Sequence, residues 1–183
     1  MRIVRAAALL AVCGSVLVGG TPAGAAPSST PVGGFIRMYI TPGSGTGAGT
    51  VVIIGAIGDF GKVRTVNLSG SADPTGNYLS LKLQKGAFEV NRSTLVTEQN
   101  STLPTLTPAT CSGLLTTTAP VTLFNGSGLY SGITGAVSAT LVEAFVLPRY
   151  STGKSKGQCE LTKNVQPLTS YISITGMGSV AFN

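Results

Sequence analysis

Residues 125–136, NGSGLYSGITGA, constrain this chain more than any other stretch. Four glycines, Gly126, Gly128, Gly132 and Gly135, surround one aromatic, Tyr130, and one branched aliphatic, Ile133. Before them Val121 and Leu123 alternate with other residues; after them runs a long apolar segment, 137–147. That order reads as a strand, a glycine-rich corner and a second strand. Glycine admits positive φ and close backbone approach, and Tyr130 is the side chain that can anchor the corner to a core. Tyr130 therefore reads as a packed anchor before it reads as a ligand contact.

The remaining segments repeat the same grammar. Residues 35–40 alternate, with Phe35, Arg37 and Tyr39 on one face and Ile36, Met38 and Ile40 on the other. A period of two is the signature of a strand. Residues 50–57 are β-branched and nearly all apolar, which marks a buried strand. Residues 58–61, GDFG, read as a turn, and 63–68 alternate again. Residues 69–77 are dense in turn formers. In 78–84, Leu79, Leu81 and Leu83 share a face. Residues 87–96 suggest two short strands, and 98–110, with Pro104 and Pro108, suggest a long polar loop ending at Cys111. A strand signal covers 114–124. Segment 136–147 is ambiguous: Val137, Leu141 and Phe145 also fit helical spacing, and Ala, Leu and Glu favour a helix. Its position after a glycine corner, among β segments, decides for a strand. Residues 149–157 read as a loop and 159–161 as a short strand. In 171–182, Ile172, Ile174, Val180 and Phe182 share a face with Gly176 and Gly178, which would let a barrel strand bend sharply. Eight to ten short strands without a helix predict an all-β antiparallel barrel of about eight strands, with a flattened sandwich as the alternative.

The N-terminus carries a secretion signal: Arg2 and Arg5, an apolar region over 6–19, and the small-residue site Ala23-Gly24-Ala25. Cleavage is expected after Ala25, with Ala26 as the runner-up. The apolar region is shorter than the roughly 20 residues a spanning helix needs. A lipoprotein signal ending at Cys13 is disfavoured by the bulky Val12 before it. The expected organisation is a signal peptide over 1–25, a linker over 26–33 and one β-barrel domain over 34–183. Its product is a secreted or envelope-associated chain that does not span the membrane. Two cysteines survive processing, Cys111 and Cys159, and in an oxidising compartment an isolated pair forms a disulfide.

Composition closes several routes to function. The chain has no histidine, so the Ser-His-Asp and Cys-His arrangements and any histidine-ligated metal cannot be built from it. Loss of Arg2 and Arg5 lowers the formal charge from +6 to +4. The loose cluster Lys154, Lys156 and Lys163 lacks stacking aromatics, so nucleic acid is not an expected partner. Thr41–Gly49 resembles a phosphate cradle only superficially, because no lysine follows its last glycine. Ser151-Thr152-Gly153-Lys154 matches S-x-x-K but sits in a loop that cannot aim both side chains. No catalytic, cofactor-binding or metal-binding residue is therefore predicted, and no cofactor. Asp59, Glu89, Glu98, Glu143 and Glu160 could pair only by folding. Glu143 stands out because it falls on the apolar face of its strand, where a carboxylate is costly unless paired. A salt bridge to Arg37 or Arg149, or a rim position, is the simpler account; an acid lining a barrel cavity is the functional one.

The order of Cys111, a strand, Gly126-x-Gly128-x-Tyr130-x-Gly132-x-x-Gly135, a long strand, and Gly157-x-Cys159 resembles a group of small secreted actinobacterial proteins of unassigned function. Their corner is in turn similar to that of plant dirigent proteins and allene oxide cyclases. The resemblance covers about residues 110–159, with Ser127 where threonine is usual. It implies an eight-stranded antiparallel barrel with a central cavity. It does not carry the cyclase activity, because the cavity residues of the plant enzymes have no match here. Two functions follow as expectations. One is a non-catalytic secreted module that binds a cell-envelope component. The other is a cavity-bearing barrel that binds, orients or isomerises a small apolar molecule.

Overall fold

The structure, a computed structural model, describes residues 32–162 and 165–183. The expected signal peptide over 1–25, most of the linker over 26–33, and Lys163 lie outside the described residues. The described chain forms β1 (Gly34–Thr41), β2 (Gly49–Gly55), β3 (Asp59–Val66), β4 (Tyr78–Leu83), β5 (Gly86–Asn91), α1 (Ser93–Ser101), β6 (Thr105–Thr107), β7 (Ser112–Gly128), β8 (Ile133–Val146) and β9 (Thr169–Phe182).

The strands pair antiparallel in the order β5-β4-β3-β2-β1-β9-β8-β7, and β5 pairs back onto β7 to close an eight-stranded barrel. Closure removes the sandwich alternative and leaves few edges to pair with other chains. β6 is an extra strand on β7. It pairs at Ser112–Leu114, whereas β5 pairs at 122–128. The intervening stretch of β7 has no strand on that side, and α1 packs there instead. Pro120 lies in that stretch, an edge position where a missing N–H is tolerated.

The alternation read in the sequence sets the inside and outside of the barrel. Ile36, Met38 and Ile40 point inward with Val51, Ile53, Val63, Leu79, Leu81, Phe88 and Val90, and join Leu141 and Ile174 in one continuous core. The ambiguous segment is a strand: β8 pairs along its whole length with both β7 and β9. The two glycines of β9 serve the packing. A Cβ on Gly176 would press on Met38, and one on Gly178 would press on the backbone of β8.

Several local expectations are corrected. Residues 87–96 are not two strands, and 98–110 is not one loop: β5 is followed by α1 and then by β6. The helix is short and polar, and Leu95 is its only buried residue. It therefore lacks the apolar stripe that announces a helix. Its start is marked only by Asn91, whose side chain accepts the N–H of Ser93 at 3.0 Å. The turn placed at 58–61 falls earlier, at 56–58, and Asp59 opens β3. Residues 159–161 supply one bridge, Arg149 to Cys159, rather than a strand.

Candidate functional site

Three places in the barrel gather chemistry: the glycine corner, the end of β8 near α1, and the outer face of β1–β3 with β9. At the corner, β7 ends at Gly128 and β8 starts at Ile133. Gly128 and Gly132 take φ of 62° and 74°, a region unfavourable to other residues. A Cβ on Gly132 would collide with the carbonyl of Asn183, whose N–H donates to the Gly132 carbonyl at 3.1 Å. The corner thus grips the chain end after β9. Gly126 leaves room for the Tyr130 carbonyl, and Gly135 for that of Ser179 on β9.

Tyr130 turns inward from this corner and is 1% exposed. Its ring meets Phe88 edge to face at 5.7 Å. Its hydroxyl donates to Asp59 Oδ2 at 2.5 Å. Asp59, 6% exposed, also accepts the N–H groups of Phe60 at 2.7 Å, Lys85 at 3.0 Å and Gln84 at 3.4 Å. One carboxylate therefore ties the start of β3, the β4–β5 turn and the β7–β8 corner together. Burial pushes the Asp59 carboxyl up, but the Tyr130 hydroxyl and three N–H donors outweigh it and hold the group below its ordinary range. Burial and the Asp59 charge push the Tyr130 phenol well above its ordinary value. The pair is an ionised acceptor and a neutral donor locked together, the arrangement of a structural clasp. Asp59 was legible only as a turn residue and one of five scattered carboxylates, because Tyr130 lies 71 positions away.

Glu143 lies on the inward-facing register of β8, half-buried at the end where α1 packs. Its partner is neither Arg37 nor Arg149. Gln99 of α1 donates to Glu143 Oε2 at 3.1 Å. Nearby on β7, buried Thr117 donates to Thr102 Oγ1 at 3.2 Å. Arg149 is engaged by the carbonyls of Gly157 and Ala109, both at 2.6 Å, and the Arg37 guanidinium lies over the Phe35 ring. The Arg149 contacts brace the loop held by the disulfide between Cys111 and Cys159, whose Cα atoms are 5.3 Å apart. A shallow cleft beside that disulfide is lined by Leu106, Pro108, Arg149 and Leu161. The described residues include no group of three or more Cys, Asp or Glu side chains placed to hold a metal ion.

The outer face is the feature the sequence reading left unassembled. Register sets Met177, Arg37 and Ile54 side by side across β9, β1 and β2. The next row runs Thr175, Tyr39, Val52 and Phe60 across β9, β1, β2 and β3. Each apolar member of these rows is about half exposed, from Tyr39 at 45% to Phe60 at 59%. Exposed apolar side chains grouped in this way are a candidate interaction surface, whereas scattered single residues are not. Comparison with known proteins returns no match: no family model, no curated protein and no solved structure is similar to this chain.

Proposed function

We propose that this is a secreted, non-catalytic protein that binds a component of the cell envelope through the outer face of its barrel. The observation that carries the reading is the two-row apolar patch over β9, β1, β2 and β3. Cross-strand pairing of Tyr39, Val52 and Phe60 helps to hold the sheet, but it leaves these side chains, with Ile54 and Met177, half exposed in adjacent outward registers, as on a surface that a partner covers. The interior supports the same reading, because its inward positions hold a continuous apolar core and its one buried carboxylate is committed to Tyr130. The signal sequence and the disulfide fit an exported chain.

A second reading keeps the inner end of β8. Glu143, Gln99, Thr117 and Thr102 form a small polar group beneath α1, and such a group could orient a small apolar molecule admitted at that end. The dirigent-like resemblance of the corner belongs with this reading.

Fractionation separates the two. Secreting cells are divided into medium and envelope, and the protein is followed in each. The outer-face reading expects envelope retention that is lost in Tyr39→Ser/Ile54→Ser and kept in Glu143→Gln. Equal release of both variants and the wild type into the medium would contradict it. A small molecule that co-purifies with wild type in native mass spectrometry, but not with Glu143→Gln, would favour the second reading.

A further inference from the structure

The outer face continues beyond its apolar rows into a row of cations. Thr50, Lys62, Lys82 and Ala87 stand side by side across β2, β3, β4 and β5, with Lys62 directly opposite Lys82. Arg64, opposite Ser80, follows in the next row. All three cations are exposed. Like charges directly opposite on a sheet repel each other, and the one carboxylate in these rows is Glu89 of β5, opposite Ser80 at the far edge from the apolar stripe. The chain has six carboxylates. Asp59 is enclosed with Tyr130, Asp73 binds Thr75, Glu89 binds Asn125, Glu143 binds Gln99 and Glu160 binds Thr162. The sixth, Glu98, rides on α1 against β7 and β8. The face therefore shows an apolar stripe, with Arg37 within it, flanked by Lys62, Lys82 and Arg64.

We propose that this face docks on an anionic lipid bilayer, an inference that rests on the surface-binding function above and names its partner. The apolar stripe enters the boundary between headgroups and acyl chains, and the lysines meet the phosphates with their stems along the apolar surface. A second copy of the chain fits less well. A symmetric contact would bring together two faces with an excess of the same sign, Arg37, Lys62, Arg64 and Lys82 against the single edge carboxylate Glu89. A purely polar anion fits less well too, because it would leave Phe60, Val52 and Ile54 in water.

Vesicle sedimentation of the mature, disulfide-bonded protein tests the proposal. Two vesicles are compared: phosphatidylcholine alone, and equal parts phosphatidylcholine and phosphatidylglycerol. The expected result is binding to the second only, weakened by added salt. Each basic residue near such a surface strengthens binding about fivefold, so Lys62→Gln/Lys82→Gln should bind roughly thirty-fold more weakly. Phe60→Ser should weaken binding about tenfold through lost apolar insertion. All three side chains are exposed, and thermal melts are run alongside to check that the variants fold. Equal binding to both vesicles, or binding to neither, overturns the proposal. A protein that ignores vesicles yet sediments with isolated cell walls also overturns it, and leaves the surface-binding function with a polyanionic glycan as partner. A protein found with neither fails both readings.

Discussion

Removing one oxygen at the corner tests the clasp. Tyr130→Phe keeps the ring that packs on Phe88 and deletes only the hydroxyl that reaches Asp59. Asp59 Oδ2 retains the Lys85 N–H, so the carboxylate is weakened rather than abandoned. A hydrogen bond to a charged group contributes about 1.5–3 kcal/mol, more than one between neutral groups. For a domain of about 150 residues, a loss near 2 kcal/mol lowers the melting temperature by roughly 4–8 °C. Tyr130→Ala also removes the buried ring and should cost about 3–5 kcal/mol. Asp59→Asn alone leaves the phenol a weaker acceptor. In a cycle with Tyr130→Phe, the two changes should therefore couple by about 1–2 kcal/mol. Thermal and denaturant melts of the two single variants, the double variant and wild type supply the values. A wild-type melt for Tyr130→Phe, or strictly additive losses, would refute the clasp.

Three further outcomes follow. Because folding lowers the Asp59 pKa, its contribution is present above the ordinary carboxylate value of 3.8 and is lost as pH falls below it. Because folding raises the Tyr130 pKa, its contribution is present below 10.0 and is lost as pH rises beyond that value. Melts across pH should therefore show a loss at each extreme, with the alkaline loss diminished in Tyr130→Phe; an unchanged alkaline limb would contradict the assignment. Cys111→Ser/Cys159→Ser should lower stability by about 2–4 kcal/mol in denaturant titration, and a smaller change would mean the bond only decorates its loop. Gly132→Val should cost more than about 2 kcal/mol, since it combines positive φ with a collision against the chain end; a wild-type melt would contradict that reading.

The parts of the fold that were legible in the sequence are those fixed by short-range period. Leu79, Leu81 and Leu83 announce β4, Ile36, Met38 and Ile40 announce β1, and the glycines around Tyr130 announce the corner. What escaped depends on distance or on register. Asp59 reads as a turn because glycines flank the Asp59-Phe60 pair, and its role appears only when Lys85 and Tyr130 arrive from elsewhere in the chain. The helix α1 escaped because one buried leucine makes no stripe. Gln99 could not be matched to Glu143 without knowing that α1 fills the gap beside β7. The outer face escaped for a simpler reason. Tyr39, Val52, Phe60 and Met177 are unremarkable singly, and only strand order brings β9, β1, β2 and β3 together.

Binding on the outside of the barrel is tested most directly by amide NMR of the mature protein titrated with solubilised cell envelope, residue by residue. Shifts are expected on the outward positions Tyr39, Val52, Ile54, Phe60, Lys62 and Met177, with the inward positions Thr117, Leu141 and Glu143 unmoved. Shifts centred on Thr117, Leu141 and Glu143 would contradict it and move the binding site into the barrel.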